Sequence, residues 1–157
     1  MSLESVKKYF ADFGLEDRVV TLDQSTATVE EAALAHAVDP DQIAKTLSFK
    51  VDDKPILIVF SGLARLDNRK FKDEFQMKAK MLNADEVERF TGHSIGGVCP
   101  FGLAKPVDVF LDESLKDHSE VIPAAGGRSS AIRLTIEELE KYSNCIKWIN
   151  VGKKPEV

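Results

Sequence analysis

The segment Gln42-Ile43-Ala44-Lys45-Thr46-Leu47-Ser48-Phe49-Lys50-Val51 combines the pattern of a half-buried strand with one charged residue on its apolar side. With the two-residue period of a strand, Leu47, Phe49 and Val51 share one side, and Lys45 belongs to that side too. An ammonium on an apolar face needs a partner, a substrate or a lowered pKa, because burying an unpaired charge is costly. The alternative is that the strand begins after Lys45 and the side chain reaches solvent, since lysine is almost never fully buried.

A second apolar run, Pro55–Phe60, follows this strand at hairpin distance, after the turn Asp52-Asp53-Lys54. Its continuous hydrophobicity predicts a central strand that is buried on both faces. Further strand-like runs alternate with short helical segments along the rest of the sequence. This alternation predicts a mixed sheet with helices packed outside it, in the α+β (mixed α/β) class.

Helix starts are marked by capping patterns, in which a Ser, Thr or Asn is followed three residues later by Glu. Three segments fit this pattern: Thr28–Glu31, Asn83–Glu86 and Thr135–Glu138. The pair Asp39-Pro40 predicts a short helix that leads directly into Lys45, which helps to fix the direction of that side chain. A strand is also predicted over Lys78–Leu82, and a frayed tail over Gly152–Val157.

The composition is that of an ordinary globular domain, with 157 residues, 43% hydrophobic and 30% charged residues. This length predicts one domain, residues 1–157. No apolar run is long enough to span a bilayer and no leader pattern opens the sequence, so we expect a cytoplasmic protein with no membrane contact. Two distant cysteines and three scattered histidines form no metal or disulfide pattern, so no metal is expected.

The charge is unevenly distributed along the sequence. The net charge of −5 argues against a protein that coats DNA or other nucleic acid non-specifically. From Gly62 to Leu82, however, six basic residues stand against three acidic ones. This segment is a candidate surface for phosphates, and the alternative is a solvated helix face.

Two glycine-bearing bends are the other candidates for chemistry: Gly96–Gly102 and Ala125–Ser130. Glycines let backbone N–H groups approach a ligand closely, where they can bind a phosphate or stabilise the oxyanion of an ester. Neither bend fits a Walker A loop or a dinucleotide fingerprint. The pair Ser129-Ser130 lacks the flanking pattern of a nucleophile elbow.

In three ordered segments the sequence resembles the YbaK/prolyl-tRNA-synthetase-associated domain family, the free-standing relatives of an editing domain found in bacterial prolyl-tRNA synthetases. They are Ile43-Ala44-Lys45-Thr46-Leu47, the segment from Gly96 to Gly102 with a Gly-x-x-x-Pro motif at Gly96–Pro100, and Ala125-Gly126-Gly127-Arg128. The helix start from Thr26 to Ala33 is also similar. The likeness extends from about Val6 to Glu140.

The resemblance implies a largely antiparallel, curved or barrel-like mixed sheet and an aminoacyl-tRNA deacylase that acts in trans without a metal or other cofactor. Its expected partners are the acceptor end of an aminoacyl-tRNA and an aminoacyl-tRNA synthetase. Lys45 would orient the substrate near its terminal ribose and phosphate. The Gly96–Pro100 loop would surround the ester, and the Gly126–Arg128 bend would close the amino-acid pocket. The substrate's own 2′-hydroxyl would help to place the water.

The resemblance therefore predicts two sets of site residues, and the basic segment from Gly62 to Leu82 suggests a third. The predicted catalytic residues are Lys45, Gly96, Gly97 and Pro100. The predicted substrate-binding residues are Thr26, Thr46, Val98, Cys99, Phe101, Gly126, Gly127, Arg128, Ser129 and Ser130. For Cys99, the alternative is a small buried residue of the loop. The predicted tRNA-binding residues are Arg65, Arg69, Lys70 and Lys72.

The resemblance also implies a substrate that carries alanine, serine, threonine or cysteine. Many relatives have asparagine or aspartate after the second bend, where this sequence has Ser129-Ser130 and then Ala131. Because discrimination between small side chains is worth only about 1–3 kcal/mol per methylene, the sequence does not choose among these amino acids.

Two other functions are compatible with the same residues. A non-catalytic module that binds the tRNA acceptor end or a small nucleotide would use the bends and Lys45 in the same way. A Schiff-base enzyme would use Lys45 as a nucleophile, but it needs a neighbouring acid or base that the sequence does not supply.

Overall fold

The computed structural model describes residues 2–155. Within these residues, five α-helices occur: α1 (Ser2–Ala11), α2 (Val29–His36), α3 (Asn68–Phe75), α4 (Ala84–Thr91) and α5 (Ile136–Ser143). Three short 3-10 helices lie at Glu16–Arg18, Pro40–Gln42 and Glu113–Asp117. The strands are β1 (Val19–Thr21), β2 (Ile43–Val51), β3 (Lys54–Ser61), β4 (Arg65–Leu66), β5 (Asp108–Asp112), β6 (Glu120–Pro123), β7 (Ser130–Ile132), β8 (Leu134–Thr135), β9 (Lys147–Ile149) and β10 (Gly152–Lys153).

Six of these strands form one curved, mixed sheet in the order β8-β6-β2-β3-β5-β9. The predicted central strand is confirmed, because β3 lies between β2 and β5. The β2–β3 and β6–β8 pairs are antiparallel, whereas β2–β6, β3–β5 and β5–β9 are parallel. The mixed α+β class is therefore confirmed, with a larger share of parallel pairing than the sequence predicts.

The register of the central hairpin places Lys45 on the side that the sequence predicts. Lys45 lies opposite Phe60, and Phe49 lies opposite Ile56. Phe49, Ile56 and Phe60 belong to one buried cluster on that face of the sheet. Because β2 already begins at Ile43, the alternative in which the strand starts after Lys45 is wrong.

The helix starts follow the predicted capping chemistry. The Thr28 hydroxyl accepts a hydrogen bond from the Glu31 N–H, and Asn83 and Thr135 form full capping boxes with Glu86 and Glu138. Such caps satisfy backbone donors that have no partner in the first turn. The cap at Thr28 fixes the start of α2 beside β2, where the candidate site lies.

The sheet separates two main hydrophobic clusters. On one face, Leu57 and Val59 of β3 pack with Phe10 of α1 and with Phe101 from the loop after α4. On the other face, Phe49, Ile56, Ile58 and Phe60 pack with Phe71 of α3. Burial of this apolar surface on both faces is the main source of stability for such a sheet.

Two predicted segments differ in the structure. The predicted strand over Lys78–Leu82 is reduced to one isolated bridge between Met81 and Phe49. The predicted frayed tail is ordered at Gly152–Lys153, which pairs with β4, because Lys70 donates to the Gly152 carbonyl (2.9 Å) and Asp112 accepts from the Gly152 N–H (3.0 Å). The last two residues of that predicted tail, 156 and 157, lie outside the described residues.

The helices of the described residues are all short. None of those within residues 2–155 is long and apolar enough to cross a membrane.

Candidate functional site

A cavity of about 330 Å³ lies between the N-terminal half of β2, the start of α2 and the loop that follows α4. Its walls are mostly small aliphatic side chains, with a few hydroxyls and one cation. The lining residues are Thr26, Ala27, Thr28, Val29, Ala32, Ile43, Ala44, Lys45, Thr46, Leu47, Ser48, Met81, Leu82, Val87, Ile95, Gly96, Val98, Ile122, Ala124, Ser130 and Ala131.

Lys45 is the only charged residue among the described residues that line this cavity. It is half-buried, and its Nζ donates to the Gly62 carbonyl at 3.2 Å. Burial, and secondarily the nearby Arg65 guanidinium, lowers the Lys45 pKa, and the carboxylates of Glu30 and Asp41 oppose this shift. The amine is therefore held at the cavity wall with hydrogen-bonding capacity to spare for a ligand.

Behind Lys45, the carboxylate of Asp41 fixes the turn that carries Gly62. The Oδ1 atom of Asp41 accepts from the Leu63 N–H (3.1 Å), and the backbone carbonyl of Asp41 accepts from the Gly62 N–H (3.3 Å). Its Oδ2 accepts from Lys154 (2.5 Å) and from His118 (2.7 Å). Burial alone would raise the Asp41 pKa, but these hydrogen bonds outweigh it and lower the pKa to about 2. Asp41 is therefore a carboxylate at neutral pH.

The two glycine bends contact each other directly. The Gly126 N–H donates to the Gly97 carbonyl at 3.1 Å. A Cβ on Gly97 would lie 2.8 Å from the carbonyl carbon and oxygen of Gly126, so the contact requires glycine. Gly96 and Gly126 have φ values of +99° and +91°, which other residues rarely adopt.

Thr26 ties the start of α2 to the second bend. Its N–H and its hydroxyl both donate to the Arg128 carbonyl, at 2.6 and 3.1 Å. The Arg128 side chain runs past Gly96, with its Cγ 3.5 Å from where a Cβ of that glycine would lie. Both bends and the α2 cap are therefore joined into one wall of the cavity.

The structure brings part of the predicted set together on the cavity. Six predicted residues line it: Thr26, Lys45, Thr46, Gly96, Val98 and Ser130. Gly97, Gly126, Gly127, Arg128 and Ser129 do not line it, although Gly126 bonds to Gly97 and the Arg128 carbonyl accepts from Thr26. Pro100, Cys99 and Phe101 are buried outside the lining.

Cys99 and Phe101 belong to the hydrophobic core rather than to the cavity wall. The Cys99 thiol is fully buried beside His93, 3.6 Å from its Nε2, and burial raises the Cys99 pKa to about 12. Burial also lowers the pKa of His93, whose Nε2 lies 2.7 Å from the Phe101 carbonyl. The pair is therefore neutral at physiological pH and is not a thiolate–imidazolium couple.

The predicted tRNA-binding residues do not share one environment. Arg65 is exposed and lies close enough to Lys45 to lower its pKa. Arg69 and Lys72 are exposed on α3. Lys70 is held by Asn150 and by the Gly152 carbonyl, so it secures the C-terminal strand.

Several cavity residues were not predicted from the sequence. Ala27, Val29 and Ala32 come from the start of α2. The capping pattern of this helix could be recognised in the sequence, but the contact between α2 and β2 could not. Met81, Leu82 and Val87 come from the region before and within α4. Lys153, which lies opposite Arg65 in the pairing of β10 with β4, is a second exposed cation on this strand pair and does not line the cavity.

The arrangement suits a small ligand that is held by hydrogen bonds and one positive charge. Within residues 2–155, no group of three or more His, Cys, Asp or Glu side chains could hold a metal ion. The lining hydroxyls of Ser48 and Ser130 have no histidine beside them among the described lining residues. Orientation and electrostatic stabilisation of a reactive substrate are the chemistry that such a lining can supply.

Comparison with known proteins identifies the family. A family model for the aminoacyl-tRNA editing domain matches residues 23–142. The uncharacterized Bacillus subtilis protein YwhH is 49% identical over 154 residues, which cover 98% of each protein. An Enterococcus faecalis protein named as a candidate Cys-tRNA(Pro)/Cys-tRNA(Cys) deacylase is 31% identical over 120 residues, which cover 74% of this protein and 73% of that one.

The fold agrees with this assignment. The crystal structure of a candidate trans-editing enzyme for prolyl-tRNA synthetase superimposes with a TM-score of 0.87 at 31% identity, and the match covers 97% of each protein. With the sheet, the two joined bends and the family match in agreement, the protein belongs to the aminoacyl-tRNA editing domain family.

Proposed function

We propose that this protein hydrolyses, in trans, the ester that links a small amino acid to a mischarged tRNA. The observation that carries the proposal is the 330 Å³ cavity, in which Lys45 is the only charge among the described lining residues and Gly96 brings the first bend to the wall. Membership of the editing-domain family supports ester hydrolysis, and the name of the Enterococcus faecalis relative supports a small amino acid.

The size of the cavity favours a small side chain. Its volume lies at the lower end of the roughly 300–1,000 Å³ that ligand pockets span. The walls from α2 and β2, such as Ala27, Ala32 and Ala44, are short and apolar. Alanine, serine, threonine and cysteine are therefore the amino acids that we propose as substrates.

The proposed reaction needs no covalent intermediate. The oxygen of a water molecule bonds to the ester carbonyl carbon, and the bond between that carbon and the ribose oxygen breaks. The ribose oxygen takes up one proton of the water, which leaves a free amino acid and a free ribose hydroxyl. An aminoacyl ester is already activated, so a positioned water and oriented dipoles are sufficient. Lys45 holds the terminal ribose or its phosphate, and the substrate's 2′-hydroxyl places the water.

The tRNA body would leave the cavity on the Lys45 side. Arg65 and Lys153 lie there on paired strands, and both are exposed. Exposed cations near a cavity mouth attract phosphates and guide the encounter. We propose the acceptor end of an aminoacyl-tRNA as the partner of this surface, in a cytoplasmic protein that works as one domain.

The experiment is a deacylation panel with tRNAs that carry alanine, serine, threonine or cysteine, with correctly charged Pro-tRNA as the reference. We expect the wild type to hydrolyse at least one mischarged species, and Lys45→Ala to lose about 10²-fold or more in kcat/KM. Lys50→Ala is the matched control: Lys50 lies on the same strand, pairs with Glu86 at 2.6 Å and does not line the cavity.

Two other results would contradict the proposal. Binding of charged tRNA without hydrolysis of any species would indicate a non-catalytic acceptor-end module. Trapping of a carbonyl compound on Lys45 by borohydride would indicate Schiff-base chemistry, which a lysine of lowered pKa can support.

A further inference from the structure

The outer edge of β2, on the side away from β3, is covered at both ends and open in the middle. At the start of the strand, Ile43 and Ala44 pair with β6. Towards its end, the Lys50 N–H donates to the Lys80 carbonyl (2.8 Å), and the Ser48 carbonyl accepts from the Leu82 N–H (3.2 Å). Residues 45–47 lie between these two covered stretches and line the cavity.

The direction of the backbone groups follows from these contacts. In a strand, the N–H and C=O of one residue point to the same edge, and those of the next residue point to the opposite edge. Because Ser48 and Lys50 direct these groups away from β3, Thr46 does so as well. The N–H and C=O of Thr46 therefore face the cavity, where no described strand pairs with them.

We propose that the Thr46 backbone is a binding subsite for the aminoacyl group, a proposal that rests on the proposed function. The Thr46 C=O accepts a hydrogen bond from the substrate's α-ammonium, and the Thr46 N–H donates to the ester carbonyl oxygen. The amino acid thus binds as a one-residue extension of the sheet, in the pattern of a hydrogen-bonded antiparallel pair.

The chemistry of the cavity supports this assignment. No carboxylate lines it among the described residues, so an α-ammonium must find a neutral acceptor. A backbone C=O at an open edge is such an acceptor, and a backbone N–H beside it would otherwise lack a protein partner. The Thr46 hydroxyl cannot substitute, because it is enclosed and has no hydrogen-bond partner in the described structure.

Amide hydrogen exchange measured by NMR tests the open edge and the ligand contact separately. The probe is 3′-deoxy-3′-alanylamino-adenosine, in which a stable amide replaces the ester. In the free protein, we expect the Thr46 amide to exchange at least tenfold faster than those of Lys45 and Leu47, which point to β3. At saturating probe, we expect Thr46 exchange to slow by at least tenfold.

Three results would overturn the subsite: a Thr46 amide that is already slow in the free protein, a probe that binds without slowing it, or a probe that does not bind. None of these requires turnover. Probe binding with protection of Thr46, in a protein that hydrolyses no charged tRNA, would support the subsite while contradicting the proposed hydrolysis.

Substitution provides a second test. Thr46→Pro removes the cavity-facing N–H and leaves the hydrogen bonds to β3, as proline is tolerated where a strand N–H faces outward. Thr46→Val keeps the N–H and removes the hydroxyl. We expect Thr46→Pro to bind the probe at least tenfold more weakly than Thr46→Val. Equal affinities would overturn the role of the N–H.

Leu47→Pro is the structural control, because it deletes a donor that points to β3. Its Tm should fall several times further than that of Thr46→Pro. A similar fall for both would show that the Thr46 N–H is part of the β2–β3 ladder and would overturn the open edge. If both variants fail to fold, the proposal that the Thr46 N–H lies at an open edge is also rejected.

Discussion

The two ends of the cavity are built in different ways. At the Lys45 end, the amine contacts the Gly62 carbonyl, and Asp41 holds that turn with help from His118 and Lys154. At the bend end, no charged group takes part in the central contact. There, the backbones of Gly97 and Gly126 touch because neither residue carries a Cβ.

This difference predicts different responses to mutation. Ionic and hydrogen-bonded contacts between four segments tolerate small movements, but they depend on each charge being present. A backbone contact at van der Waals distance is insensitive to charge, but it does not tolerate one added carbon. An added side-chain atom should therefore disrupt the bend end, whereas loss of a charge should disrupt the Lys45 end.

The largest effect is expected for Gly97→Ala. The added Cβ would lie 2.8 Å from the carbonyl group of Gly126 and 2.9 Å from the Gly127 nitrogen, all backbone atoms that cannot rotate away. We expect a loss of about 1–3 kcal/mol in the free energy of unfolding, measured by urea denaturation, because overpacking forces backbone shifts. Deacylation should fall by about tenfold or more, as the wall is displaced.

Gly127→Ala is the matched control for shape. Its Cβ would meet the Ser130 hydroxyl at 3.1 Å, so a side-chain atom that also lies 3.2 Å from the Thr21 hydroxyl, rather than backbone, has to shift. Its destabilisation should be smaller than that of Gly97→Ala, at about 1 kcal/mol or less. Equal destabilisation by the two variants would contradict the prediction that the close contact between Gly97 and Gly126 is the reason why Gly97→Ala is destabilising.

The next effect is expected for Asp41→Asn, which keeps the shape and removes the charge. We expect kcat/KM to fall by about tenfold, because the Gly62 turn no longer holds Lys45 firmly in position to bind the substrate. In a Lys45→Ala background, the same change should have no further effect on kcat/KM, since coupled residues are not additive. Asp117→Asn is the control, as it removes only the exposed partner of Lys154.

Acid denaturation provides an independent check on Asp41. Its pKa is lowered from 3.8 to about 2, so the ionised form stabilises the folded state above the ordinary pKa, and that stability is lost as the pH falls through about 2. The difference in unfolding free energy between wild type and Asp41→Asn should therefore shrink over this range. A difference that does not depend on pH would contradict a charge-based role.

The smallest effect is expected for Arg69→Glu combined with Lys72→Glu, two exposed changes on α3. We expect KM for full-length aminoacyl-tRNA to rise by about three- to tenfold, with a weaker salt dependence, because phosphate contacts are lost. KM for a minimal aminoacyl-adenosine should not change. Equal effects on both substrates would place these cations at the cavity rather than on the path of the tRNA body.

Much of this fold could be predicted from the sequence because the signals are local. The alternation in β2 placed Lys45 on the correct face, and the caps at Thr28, Asn83 and Thr135 set the helix starts. The glycines marked both bends. Each of these features depends on residues within a few positions of one another.

The support of the site could not be predicted, because its contacts join distant segments. Asp41 meets Lys154 across 113 positions and His118 across 77. The same limit explains the tail: Gly152–Lys153 has no strand pattern of its own, and its order comes from β4, Lys70 and Asp112. For Cys99, inside the glycine–proline motif, the sequence allowed either a place at the substrate or a buried place in the loop, and its thiol lies in the core.

The enclosed position of Cys99 has a consequence for oxidative stress. Peroxides and alkylating reagents attack the thiolate, and a fully buried thiol with a pKa of about 12 offers almost none at neutral pH. The loop that carries the Gly-x-x-x-Pro motif thus contains a sulfur atom that oxidants cannot easily reach. Proofreading by such a domain would continue under oxidising conditions that inactivate enzymes with an exposed catalytic cysteine.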